Sequence, residues 1–134
     1  MPTTTVRWVT GQQFVGTDQN NHSIVLSGDN PATGVNPSQM LLIALSACTA
    51  YDVVEIMAKK RKPLTMLEVV VTGEKDADPP WAYQRIHLDY RLSGSDLTEK
   101  AVSQAISLSQ DKYCSVAATV RGVAEISTAF KIVP

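Results

Sequence analysis

The chain predicts an α+β fold, and the order and type of its apolar patterns predict it. Short β-branched or alternating apolar runs fill residues 3–26, 67–92 and 122–133, whereas helical patterns fill 36–58 and about 96–111. The two kinds of segment interleave as βββ-α-ββ-α-β, so sheets and helices must share a core, with helices covering one sheet face. A chain of 134 residues is expected to form one domain, 1–134.

In the first block, Val6, Trp8 and Val9, then Phe14 and Val15, then Ile24, Val25 and Leu26 are separated by turn signals at Thr10-Gly11 and at residues 17–21. That spacing predicts a three-stranded meander. Residues 27–35, with Gly28, Pro31 and Gly34, form a loop leading to the central helix. Asn36 is a good N-cap and Pro37 suits the first helical position, where no backbone donor is needed. The helix runs to Ala58, the basic residues 59–62 complement the negative end of its dipole, and Pro63 ends it. It is apolar all round, from Met40 to Met57, so it is expected to be buried on most faces.

After Pro63, Leu67 to Gly73 reads as a strand. Gln84 to Leu92 alternates, with Ile86, Leu88, Tyr90 and Leu92 on one face and Arg85, His87, Asp89 and Arg91 on the other, toward water. The two strands are expected to pair as a hairpin. Ser95 or Asp96 can cap a second helix reaching about Asp111, with Leu97, Ala101, Ala105 and Leu108 at helical spacing. Cys114 comes next, at the junction where a short third helix can open, and residues 122–133 give a last strand.

A net charge of −1 gives no support for nucleic acid or an anionic membrane as partner. The first residues, Met1-Pro2-Thr3-Thr4-Thr5, lack the basic start and apolar run of a signal peptide, and a cytoplasmic location is expected. Ser46, Thr49, Asp52 and Glu55 interrupt the central helix, whose apolar run falls short of the roughly 20 residues a membrane span needs. A helix this apolar in so small a chain points to a homodimer whose partner covers what the monomer cannot.

Two cysteines, Cys48 and Cys114, are too few for a secreted disulfide scaffold. His22 and His87 are not at ligand spacing to either, so no metal is expected, and both read as surface residues. Asp52 and Glu55 read as a solvated or ion-paired helix edge, Glu55 pairing with Lys59 at i,i+4. Tyr51 and Tyr113 read as core aromatics or as walls of a pocket around the thiols. A lone buried cysteine reads as inert core. A pair from different elements, however, suits peroxide chemistry, in which one thiol becomes a sulfenic acid and the second resolves it to a disulfide. The residues by themselves leave both readings open.

Residues 36–42, Asn-Pro-Ser-Gln-Met-Leu-Leu, with 46–54, Ser-Ala-Cys-Thr-Ala-Tyr-Asp-Val-Val, resemble the central-helix signature of the OsmC family (osmotically inducible protein C and organic hydroperoxide resistance proteins). Lys112-Tyr113-Cys114-Ser115-Val116 resembles the family's second cysteine motif, and residues 85–90 match the strand between them. The Cys-Thr-Ala in the helix is closest to a less characterised OsmC-like branch.

The resemblance implies antiparallel sheets around long buried central helices in an intertwined homodimer. It also implies thiol-dependent reduction of organic hydroperoxides without metal or bound cofactor, in defence against oxidative stress, with an external dithiol as reductant. Cys48 matches the peroxidatic position and Cys114 the resolving one. The activating pair of well-characterised members does not transfer. Ser38 stands where they carry a glutamate, ten residues before the first cysteine, and Arg7 is the only N-terminal arginine. That leaves an alternative in which the protein binds a small molecule, or senses redox state, with weak or no peroxidase activity.

Overall fold

The structure is a computed structural model describing all of residues 1–134. The chain divides into two compact units, Met1–Leu41 and Leu42–Pro134.

In the first unit, β1 (Thr5–Thr10), β2 (Gln13–Thr17) and β3 (Ser23–Ser27) form the expected antiparallel meander in the order β1-β2-β3. Gly11, at a φ of 55°, makes the tight turn between β1 and β2 in a conformation that favours glycine. Ser27 anchors the next loop, its hydroxyl accepting from the amides of Thr33 and Gly34 at 3.0 and 2.9 Å. Asn36 caps the next helix as expected, its Oδ1 accepting from the Ser38 amide at 2.9 Å. Ser27 is the one buried residue of this unit; Val6, Trp8 and Val9 of β1 are exposed. A sheet with no core of its own needs apolar cover.

α1 (Pro37–Lys59) starts at the end of the first unit and supplies the spine of the second. Arg61, at a φ of 59°, turns the chain out of the helix. The expectation that α1 is buried on most faces needs correction. Only Leu45, Thr49, Val53 and Met57 are buried, a stripe of one residue per turn, and Leu41, Ile43, Tyr51 and Val54 are exposed. All-round apolarity marks a face that avoids water, without saying that this chain covers it. The argument that polar residues disqualify α1 as a membrane span also fails. Its most apolar 18-residue window has a mean hydropathy of 1.7, long and apolar enough to cross, although only 22% of that window is buried. Packing places it as a core helix, because its buried stripe meets the sheet and α2.

In the second unit, β4 (Met66–Lys75) and β5 (Tyr83–Ser93) pair antiparallel as the expected hairpin. β6 (Glu125–Ile132) joins β5 in parallel, giving the order β4-β5-β6, so this sheet is mixed rather than wholly antiparallel as the resemblance implies. Ile86, Leu88, Tyr90 and Leu92 of β5 are fully buried, and Arg85, His87, Asp89 and Arg91 face water, as their alternation predicts. They pack with the α1 stripe and with Ala101, Val102, Ala105 and Ile106 of α2 (Glu99–Leu108). Each large side chain so buried is worth about 1.5–3 kcal/mol. The cap of α2 is Thr98, whose hydroxyl accepts from the Ala101 amide, rather than Ser95 or Asp96. After α2 the chain widens into a π-helical turn, Ser109–Tyr113, before the short α3 (Ser115–Val120).

A candidate dithiol site between the central helix and a π turn

Cys48 lies in the middle of α1, one turn before Asp52. Cys114 caps α3, at the point where the π turn closes with its own amide donating to the Ser109 carbonyl at 2.8 Å. Such widened turns recur at functional sites, because the extra residue re-aims the side chains beyond it. Here it buries both Ser109 and Gln110 and turns Cys114 toward α1. The two sulfurs and a carboxylate oxygen of Asp52 all lie within 4.8 Å of one another. Both cysteines are free thiols; Cys114 is buried and Cys48 only half-buried.

The environment of the two thiols is unequal. Burial, and then a hydrogen bond with Cys48, push the Cys114 thiol up from 9.0 to about 11. The Ala117 amide donating to its Sγ at 3.4 Å acts the other way without prevailing. Cys114 therefore stays protonated at neutral pH.

Behind the sulfurs runs a buried polar network that the sequence reading missed. The Ser109 hydroxyl lies 2.8 Å from both Asp52 Oδ2 and Thr49 Oγ1, and can give its single proton to either. Thr49 Oγ1 is 2.7 Å from the Tyr90 hydroxyl, and the Gln110 amide nitrogen donates to both, at 3.3 and 3.1 Å. The Gln110 side-chain oxygen is buried without a partner, and the Arg121 guanidinium donates to its backbone carbonyl. Burial holds the Tyr90 hydroxyl above its ordinary pKa despite the bonds from Thr49 and Gln110. The network ties α1, β5 and the π turn together at the level of the thiols. Its one advance signal is Thr49 and Asp52, polar residues within about a turn of Cys48 in a mostly apolar helix.

Asp52 is thus not a solvated edge but half-buried, with the Ser109 hydroxyl as partner. The expected Glu55–Lys59 pair does not form. Tyr51 and Tyr113 are both exposed and not core. Tyr51 lines an apolar cleft of about 590 Å³ along α1 and β4. Tyr113 lines a second, largely charged cleft of about 450 Å³ with Asp52, Glu55, Ile56, Lys59, Lys60 and Leu108, which reaches the cluster through Asp52. His22 bonds to Asp18 and His87 to Ser127, both at the surface, as expected. In the first unit, Arg7 is exposed on β1, and Ser38 binds Asn36 Oδ1 through its amide and hydroxyl.

Comparison with known proteins places this geometry in context. The family model described as OsmC-like protein matches residues 28–129. Protein YhfA of Escherichia coli K12 is 34% identical over 128 residues, covering 96% of each chain. The crystal structure of an OsmC-like protein from Mycoplasma pneumoniae superposes with a TM-score of 0.86 at 19% identity, over 100% of this chain and 98% of that one. The organic hydroperoxide resistance protein OhrB of Bacillus subtilis shares the fold at a TM-score of 0.65 and 17% identity, over 98% of each.

Proposed function

The chain belongs to the OsmC-like protein family, and on that premise we propose that it is a thiol peroxidase reducing organic hydroperoxides through Cys48 and Cys114. The more accessible Cys48 sulfur attacks the terminal peroxide oxygen. The O–O bond breaks, the leaving alkoxide takes a proton and departs as an alcohol, and Cys48 is left as a sulfenic acid. Cys114, which holds its proton until it reacts, attacks that sulfur; the S–S bond forms and water leaves. An external dithiol restores both thiols by exchange.

The single observation that carries this reading is the meeting of two free sulfurs within 4.8 Å, one half-buried and one buried. Inert core cysteines have no need to meet. The name of OhrB, a protein of the same fold, adds a hydroperoxide as the class of substrate. The test is turnover of an organic hydroperoxide with a dithiol reductant. Activity that Cys48→Ser abolishes supports the proposal; equal consumption by wild type and Cys48→Ser defeats it.

The working form is proposed to be a cytoplasmic homodimer in which residues 1–134 act as one domain. Support comes from the coreless β1-β2-β3 sheet and from the exposed Ile43, Tyr51 and Val54 on α1, which a second copy would cover. Free thiols suit a reducing compartment. A second reading, binding of an apolar small molecule with the thiols as sensors, is favoured by the apolar cleft along α1. It predicts saturable binding of an apolar dye that the dimer still permits, and no peroxide turnover.

A further inference from the structure

We propose that the reduced protein binds one divalent, borderline-soft metal ion, Zn2+ in the cell, through the sulfurs of Cys48 and Cys114 and a carboxylate oxygen of Asp52. The inference goes beyond the peroxidase reading and does not depend on it. The sequence alone gives no reason to expect a metal, because neither histidine is at ligand spacing to a cysteine. The fold supplies a carboxylate instead, one helical turn from Cys48, and the π turn brings the second sulfur to the same place.

Three properties of the cluster favour a cation. First, the donor set is right: thiolate and carboxylate are both zinc ligands, and three protein ligands with a fourth position left to water is a common open arrangement. Zinc–sulfur bonds of about 2.3 Å and zinc–oxygen bonds of about 2.1 Å set ligand atoms roughly 3.5–3.8 Å apart in a tetrahedron. Atoms already within 4.8 Å of one another need close by about 1.3 Å at most to reach that spacing. Second, Asp52 is half-buried and has no ion-pair partner. Lys59 and Lys60 line the same cleft as Asp52 but form no ion pair with it, so the carboxylate keeps a place for a cation beside the two sulfurs. Third, the ligands are already oriented from behind. The Ser109 hydroxyl lies 2.8 Å from Asp52 Oδ2 and can donate to it, and the Ala117 amide donates to Cys114 Sγ, the kind of outer-shell bonds that fix metal ligands elsewhere.

Binding and disulfide formation then exclude each other, because both use the same two sulfurs. Oxidation of the loaded site by one hydroperoxide takes up two protons. It breaks the O–O bond and both zinc–sulfur bonds, forms the S–S bond, and yields an alcohol, a water and Zn2+, which leaves as its remaining bond to the Asp52 carboxylate breaks. The two electrons come from the thiolates.

The test is an anaerobic titration of the reduced full-length chain with Co2+, then displacement with Zn2+. The proposal expects one Co2+ per chain with a sulfur-to-cobalt charge-transfer band, release of protons on binding, and no band in the disulfide form. Asp52→Asn, which keeps both thiols, should bind at least about tenfold more weakly, since even outer-shell losses cost 10–100-fold. Asp111→Asn, an exposed acid nearby, should change nothing. No charge-transfer band at one equivalent, or equal affinity in Asp52→Asn, overturns it; the latter marks a bare dithiol chelate. Should Asp52→Asn fail to fold, X-ray absorption on the Zn2+-loaded wild type decides: two sulfurs with oxygen neighbours support the site, and any other sulfur count refutes it. None of these outcomes bears on peroxide turnover by metal-free protein, so the two proposals fail separately.

Discussion

Replacing Ser109 with alanine should loosen the junction that presents Cys114 to Cys48. Ser109 is fully buried, and its hydroxyl is the one polar partner linking the π turn to both Asp52 and Thr49 on α1, each at 2.8 Å. It carries a single proton, so two full bonds cannot be counted. A bond to a charged acceptor is worth about 1.5–3 kcal/mol, and a half-buried carboxylate left without its donor adds to the loss, giving about 2–3 kcal/mol in all. At about 2.1 cal/mol/K per residue, a chain of this length loses about 0.28 kcal/mol for each degree, so Ser109→Ala should melt about 7–11 °C lower. The assay is calorimetry of the reduced protein at one fixed concentration, because association shifts the midpoint. The double variant with Asp52→Asn should be strongly non-additive, since both changes break the same bond. A shift below about 2 °C, or additive effects, would refute the view that this network holds the turn.

Cys114 sets a pH dependence. Its thiol lies at about 11 in the fold, above the unfolded value of about 8.5. The protonated thiol therefore favours the folded state in full below the unfolded value, and that contribution is lost as pH rises through the folded one. The denaturation midpoint should fall from about pH 9 to 11, more steeply in wild type than in Cys114→Ala; equal slopes would contradict it. Leu45→Ala removes a fully buried side chain from the α1 stripe and should cost about 2–5 kcal/mol in a denaturant titration. Val54→Asp puts a charge on the exposed apolar face of α1 and should yield monomers in sedimentation; an unchanged dimer would show that this face is not the interface.

Much of the architecture was legible because period and punctuation agreed. The turn residues between Val9 and Ile24, and the alternation from Arg85 to Leu92, state a strand and its buried face directly. The N-cap at Asn36 and the stop at Pro63 bound α1 to within a few residues. The depth of α1's burial was not legible, since an apolar face covered by a second copy and one covered by the same chain read alike. Nor was the cap of α2, where Thr98 competes with Ser95 and Asp96 within one turn. The two cysteines were found by type and motif, but their supporting shell was not. Ser109 and Gln110 sit where an ordinary α-helix would have continued, and only the π turn, which no periodicity announces, rotates them inward onto Thr49, Tyr90 and Asp52.

The central claim is that Cys48 reacts first and Cys114 second. One equivalent of an organic hydroperoxide, added to reduced protein and tracked by peptide mass mapping, tests it most directly. Wild type should convert to a single Cys48–Cys114 disulfide, and Cys114→Ser should stop with the oxygen on Cys48. Oxygen accumulating on Cys114 in Cys48→Ser at the wild-type rate, or two thiols untouched after the peroxide has been added, would contradict the account.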